Sequence, residues 1–301
     1  MRRTVNRILA SLCLCATLLT TVGCGHSPRV VLRAVRAFVA EPTVLVDELP
    51  EHQRPVHRVA ETDNGADESA PGSLRVLSYN IQRAYKEDEI VVALEALLAA
   101  ESPDVVLLQE TPEFFWTRPG VEQLFADMNL FYAPFHQVEK PSKRFPHRSY
   151  GQLIATPLAL EARRVIELPT VTRAGLGRHH VLKRIALYAE IPLHDGRSVR
   201  LINTHNEPFV RPRGRSPQFQ AALDRLEPSR RHVNLYCGDL NTAFGQDEPG
   251  LHLFRNAGYE SALTADAELD DCLASGHQTI DGRILEDDAS DHRPIVVDVV
   301  L

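Results

Sequence analysis

Cysteine is scarce in this chain and unevenly placed. Of five cysteines in 301 residues, only Cys237 and Cys272 lie beyond residue 24, which leaves no cysteine cluster for a zinc site. The two could pair in an oxidising compartment or stand apart as separate buried thiols. Long apolar runs are also missing. Ile8 to Val22, about fifteen residues, falls short of the roughly twenty a membrane span needs. Positive charge is in deficit: 33 Lys and Arg stand against 40 Asp and Glu, for a net charge of −7. Such a surface does not draw polyanions globally, so nucleic-acid contact would need local basic patches. No internal repeat is visible. What is present is ordinary globular composition, 44% hydrophobic and 24% charged, enough for a real core. The length fits one large domain or two small ones.

The front of the chain stands apart. Arg2, Arg3 and Arg7 form a basic segment before the apolar run, the pattern of a signal peptide. The run ends in Thr21-Val22-Gly23-Cys24. This resembles a bacterial lipobox, with Thr21 where leucine is usual and Cys24 as the lipidated residue. Cleavage before Cys24 removes three positive charges and takes the net charge from −7 to −10. The expectation is an exported protein, lipid-anchored in the bacterial cell envelope, or otherwise periplasmic or secreted. Residues 24–72 read as a lipidated N-terminus and tether. Within it, Arg29 to Ala40 has some helical patterning, and Glu61 to Ser73 has little to bury and reads as disordered linker. The folded domain is expected over 73–301.

That domain reads as apolar strands that stop at polar residues. Leu74 to Gln82 is a strand carrying Asn80 at its end. Glu87 to Ala100 has a helical stripe of Ile90, Val91, Leu94, Leu97 and Leu98. Pro103 to Glu110 is apolar throughout until Gln109 and Glu110, as expected for a strand covered on both faces. Tyr150 opens a further strand, Arg184 lies in another, and Val199 to His205 ends in a histidine. Val233 to Cys237 leads through Gly238 into Asp239-Leu240-Asn241. Residues i and i+2 of a strand share a face, so Asp239 and Asn241 can point into one pocket. Asp281 lies in the penultimate strand, and Asp291-His292 precede the last.

Polar residues gathered at strand ends point to a site held on a rigid scaffold. Carboxylates and a carboxamide suit a hard divalent ion such as magnesium, with manganese as the alternative, and not zinc. A histidine beside an aspartate can act as a base or an imidazolium.

Asn80 after a strand, Leu108-Gln109-Glu110, Asn203-Thr204-His205, Gly238-Asp239-Leu240-Asn241 and Ser290-Asp291-His292 resemble, in order, the motifs of the endonuclease/exonuclease/phosphatase superfamily. The resemblance runs from about Leu74 to Leu301. It implies a four-layered α/β sandwich, two mixed sheets face to face with helices outside. It also implies metal-dependent hydrolysis of a phosphoester by direct attack of water. On that resemblance Glu110, Asn80 and Asp291 are the metal residues. Asp239 orients or deprotonates the water, and Asn241 holds a phosphoryl oxygen. His292 serves as base or charged donor with Asp281 as its carboxylate partner. His205 donates to the phosphate or protonates the leaving oxygen. The family usually has a bulky residue after that aspartate; this chain has Gly282.

Tyr150 and Arg184 are candidate substrate contacts. The basic stretches Lys140 to Arg148 and Arg211 to Arg215 read as solvated loops or as grips on a phosphate backbone. The substrate is expected to be nucleic acid or a phospholipid headgroup, with a nuclease-type phosphodiesterase as the first reading. A sphingomyelinase-like phospholipase, a phosphatase of soluble esters and a non-catalytic binding module are the alternatives. Phe114-Phe115-Trp116 reads as a packed loop anchor or a lipid contact. The protein is expected to be a monomer.

Overall fold

The computed structural model describes residues 56–60, 72–137, 149–171, 184–208, 210, 212–229, 231–242, 248–263 and 269–301. The signal peptide, Cys24, most of the tether, the Lys140 to Arg148 loop and Arg211 fall outside them.

Two mixed sheets carry the chain. The seven-stranded sheet has the order β1-β4-β5-β3-β2-β13-β12. Its strands are β1 (Val56–Arg58), β2 (Ser73–Asn80), β3 (Val105–Pro112), β4 (Asn129–Gln137), β5 (Ser149–Thr156), β12 (Thr279–Ile284) and β13 (Ile295–Val300). The six-stranded sheet has the order β10-β11-β9-β8-β7-β6. It consists of β6 (Glu161–Leu168), β7 (Arg184–Pro192), β8 (Ser198–His205), β9 (His232–Asp239), β10 (Glu260–Ser261) and β11 (Asp270–Ser275). Each sheet has one parallel pair, β2 with β3 and β8 with β9. β1 arises within the stretch read as a tether and lines the edge of the first sheet against β4.

Burial sorts the chain into four layers. Val76, Leu107, Ile154, Leu187, Leu201 and Leu235 meet between the sheets. Helix α1 (Glu87–Glu101) lays Ile90, Leu94 and Leu97 over Leu77, Val106 and Leu108 on the outer face of the first sheet. Its three acidic residues in the first turn, Glu87, Asp88 and Glu89, suit the positive end of the helix dipole. Helix α2 (Val121–Leu124) sits nearby. On the far side, α3 (Pro212–Leu223) and α4 (Pro249–Asn256) bury Phe219 and Phe254 against Tyr236 of β9. The strands alternate between two apolar faces, which is why β2, β3, β8 and β9 read as near-continuous apolar runs.

Cys237 and Cys272 sit directly opposite each other on β9 and β11, with Cα atoms 4.0 Å apart and sulfurs bonded. Arg215, placed by the sequence in a basic loop, is instead a helical residue of α3 and only 1% exposed. Phe115 and Trp116 are packed inside, while Phe114 remains 53% exposed.

Candidate active site

One end of the sandwich collects the polar strand ends. β2, β3, β8 and β9 run towards it and deliver Asn80, Glu110, His205 and Asp239. Antiparallel neighbours start there and contribute Tyr150, Arg184 and Asp270, while Asp291 and His292 come from the loop before β13. The register makes Asp239 a direct neighbour of His205 on one side and Asp270 on the other. Gly238 makes this spacing attainable. Its φ is +131°, and a Cβ there would stand 2.1 Å from the Thr204 carbonyl oxygen of the adjoining strand.

Just beneath the site the sheets are locked together. Gln109 Nε2 donates to Asn203 Oδ1 at 2.8 Å, and Asn203 Nδ2 donates to the carbonyls of Leu108 at 3.0 Å and Leu153 at 2.9 Å. Both side chains are buried, and the Asn203 amide has both its oxygen and its nitrogen engaged, so two motif residues without a chemical role hold the two walls in place.

Asp239 is where the groups converge. Its Oδ2 accepts from Asn80 Nδ2 at 2.9 Å and lies 3.3 Å from His205 Nε2 and 3.5 Å from His292 Nε2. Its Oδ1 accepts the backbone N–H of Asn241 at 3.0 Å. Asn241 adopts a left-handed φ of 55° and donates its side-chain amide to the Asn206 carbonyl at 2.8 Å. Burial pushes the Asp239 carboxyl up to about 7, against the pull of His292 and the Asn80 hydrogen bond. That places a carboxylate near the range a general base needs at neutral pH.

The carboxylate partner of His292 corrects the sequence reading. His292 Nδ1 lies 2.7 Å from Asp270 Oδ2, whereas Asp281 is exposed on β12 and registered with Asp298. β12 is the outer edge of the seven-stranded sheet, so Asp281 takes no part in the site. Burial alone would lower His292, but Asp270 and Asp239 outweigh it and hold the imidazolium well above its ordinary value. Asp239, Asp270 and His292 form a buried cluster of potential ligand atoms within 4.8 Å of one another. The 2.7 Å contact is a hydrogen bond between the imidazole and the carboxylate, so Asp270 orients the His292 ring and supports its positive charge.

On the other side, Glu110 has a left-handed φ of 54° and keeps 17% side-chain exposure, against 2% for Asp239. Its Oε2 is 3.3 Å from Arg83 Nε, and its Oε1 is 3.8 Å from His205 Nδ1. Burial raises the Glu110 carboxyl, and Arg83 and Asp291 act on it in opposite directions. His205 is pushed well below its ordinary value, first by burial and then by Arg184, His292 and Arg83. Among the described residues, His205 Nδ1 and Asp270 Oδ1 are buried without a hydrogen-bond partner.

Two buried guanidiniums flank this wall on aromatic faces. Arg83 lies 5.3 Å over Tyr150, and Arg184 lies 5.2 Å over Phe135, which packs edge-on to His205 at 6.0 Å. Arg184 is also paired with Glu207 at 3.2 Å. Helix α3 fixes Glu207 from behind: Arg215 donates to its carbonyl at 3.0 Å, and Gln218 accepts its N–H at 2.9 Å. Asp270, Arg83, Asn206 and Glu207 are site residues the sequence reading did not single out. Asp270 had a signal, a carboxylate heading the apolar run Cys272-Leu273-Ala274.

The sequence profile of the Endonuclease/Exonuclease/phosphatase family matches residues 77–292. Among solved structures, the endonuclease/exonuclease/phosphatase from Beutenbergia cavernae is similar at 19% identity and TM-score 0.58, over 76% of this chain and 72% of its own. The human Nocturnin catalytic domain with bound sulfate is similar at 18% identity and TM-score 0.55, over 75% and 93%. A family protein from Leptotrichia buccalis is similar at 15% identity and TM-score 0.56, over 76% and 100%. No curated protein sequence matches the chain. The chain belongs to the endonuclease/exonuclease/phosphatase family.

Proposed function

We propose that this member of the endonuclease/exonuclease/phosphatase family is a magnesium-dependent phosphodiesterase of nuclease type. The observation that carries the reading is the convergence of Asn80, His205 and His292 on one oxygen of a buried Asp239 whose carboxyl is raised to about 7.

The donor set fits a hard cation. Glu110 presents a carboxylate more open than that of Asp239, Asp291 acts on it electrostatically, and the Asn80 amide borders Asp239. These three residues would hold magnesium or manganese, whose preference is for oxygen. The chemistry such an ion supplies is neutralisation of phosphoryl charge.

The protein's own groups do the rest. Asp239 accepts the proton of the attacking water. Asn80 and the Asn241 backbone fix the orientation of its carboxylate, and the second amide hydrogen of Asn241 reaches a phosphoryl oxygen. His292, kept charged by Asp270, donates to the developing negative charge; a fixed cation in a buried site serves this well. His205 stays neutral and acts as a hydrogen-bond donor to the phosphate. Arg184, backed by Glu207, and the Tyr150 wall complete the pocket.

Attachment to the cell envelope through Cys24, as a monomer, belongs to the same proposal. A second reading, a sphingomyelinase-like phospholipase, draws on Phe114, half-exposed shortly after Glu110.

The test is hydrolysis of plasmid DNA, a simple phosphodiester, a simple phosphomonoester and sphingomyelin vesicles, each with magnesium and with EDTA. Magnesium-dependent cutting of DNA and the diester is expected. Turnover of vesicles alone would select the phospholipase, and of the monoester alone a phosphatase. Turnover of nothing would leave a binding module.

A further inference from the structure

The turn after β2 is unusual for a stretch without glycine. Gln82, Arg83 and Ala84 hold φ values of 47°, 59° and 47°, three left-handed residues in succession. The left-handed conformation costs an L residue roughly 1–2 kcal/mol. Strain of this kind persists where the surroundings over-determine it, and it gathers at functional sites. The surroundings here are explicit. Ile81 N–H donates to the Gln109 carbonyl at 3.1 Å, Gln82 N–H to Asn80 Oδ1 at 3.0 Å, and Ala84 N–H to the Ile81 carbonyl at 2.8 Å.

What the turn delivers is the Arg83 side chain. Its guanidinium is held against Glu110 at 3.3 Å and over the Tyr150 ring, and the residue is only 8% exposed. Glu110 is itself left-handed. Two strained residues on neighbouring strand ends therefore meet as an ion pair.

Arg184 makes the useful contrast. It too is buried, and it too lies on an aromatic face, but its carboxylate is Glu207. Glu207 has no part in the cation site. Arg83 shares Glu110 with that site. A guanidinium and a divalent ion on one carboxylate repel each other, and in a buried setting that repulsion is poorly screened.

We propose that Arg83 is the resident counter-cation of Glu110, that a divalent ion displaces it, and that the displaced guanidinium pairs with phosphoryl oxygens of the substrate. This rests on the metal-dependent reading above and adds to it a coupling between metal and phosphate. The turn keeps the arginine stem inside the pocket, and the Tyr150 face gives the guanidinium a surface to remain on as it leaves Glu110. A planar guanidinium matches phosphate oxygens in a way a lysine ammonium does not.

The experiment is calorimetric titration of the full chain with magnesium chloride, with inorganic phosphate, and with phosphate in the presence of magnesium. No turnover is needed. Wild-type protein should bind phosphate more tightly once magnesium is present. Arg83→Gln should bind magnesium about tenfold more tightly than wild type, and phosphate in magnesium about tenfold more weakly, within the usual range of such couplings. Arg83→Lys should stay near wild type for magnesium while losing phosphate affinity. Equal or weaker magnesium binding by Arg83→Gln overturns the proposal. If circular dichroism finds that variant unfolded, the wild type decides, because independent binding of magnesium and phosphate overturns the proposal equally. A protein that binds magnesium and phosphate as stated but hydrolyses no ester would remove the hydrolase reading and keep this one. A wild type that binds no divalent ion removes both.

Discussion

His292 and His205 approach the same oxygen of Asp239 at 3.5 and 3.3 Å, one from the loop before β13 and the other from the end of β8. Both are buried. Yet His292 is held protonated and His205 neutral. Burial pushes both towards the neutral form, so it is not what separates them. The neighbours are. His292 has Asp270 at hydrogen-bond distance on its other nitrogen, and it faces carboxylates on both sides. His205 has Glu110 only at 3.8 Å, and it feels Arg184 and Arg83 as well. Two regions of one pocket, made of similar residues, thus hold opposite protonation states.

Four measurements test this contrast. The largest expected effect is from Asp270→Asn, which removes the anchor of His292. A loss of about 10²–10⁴ in kcat/KM is expected, and activity near wild type would return the partner role to another carboxylate. Next is the pH dependence. Activity should fall as pH drops through about 7, where Asp239 takes up a proton. His292 lowers the Asp239 carboxyl, so His292→Gln should move that acid limb to higher pH. His205→Gln should reduce the rate without moving it, and a shift of equal size in both variants would erase the contrast. Arg184→Lys should cost about tenfold in kcat/KM through loss of the paired, stacked guanidinium; an unchanged value would place Arg184 outside the pocket's chemistry. Asp281→Asn should stay within about twofold in activity and stability, as exposed substitutions do, and a large loss would reopen the original pairing.

Much of this site could be read in the sequence because it is carried by strand ends. An apolar run that halts at Asn80, Glu110, His205 or Asp239 announces both the strand and the residue at its mouth. The layered α/β architecture came from the family resemblance of those motifs, not from the runs themselves. Asp281 misled because the family resemblance placed the histidine's carboxylate partner on the strand before the last one, and β12 carries an aspartate there. Asp270 is the first residue of β11, one strand earlier in the chain, and that strand begins with two aspartates. The second, Asp271, faces away and accepts from Ser261 Oγ at 2.6 Å. β4 carries Pro134 beside a register shift, which breaks the alternation that marks a strand. Arg83 had no signal at all, because left-handed turns are ordinarily flagged by glycine or asparagine and this one has neither.

The Gln109–Asn203 contact has a mechanical consequence. Asn203 reaches from one sheet to the backbone of two strands in the other, while Gln109 reaches back. Sliding one sheet over the other by a single residue would break all three bonds and leave buried amides stranded. Shear between the layers, one way a pocket can open or shut, therefore carries the cost of these three buried bonds. The same contact that sets the spacing of the two walls thus opposes their sliding past each other.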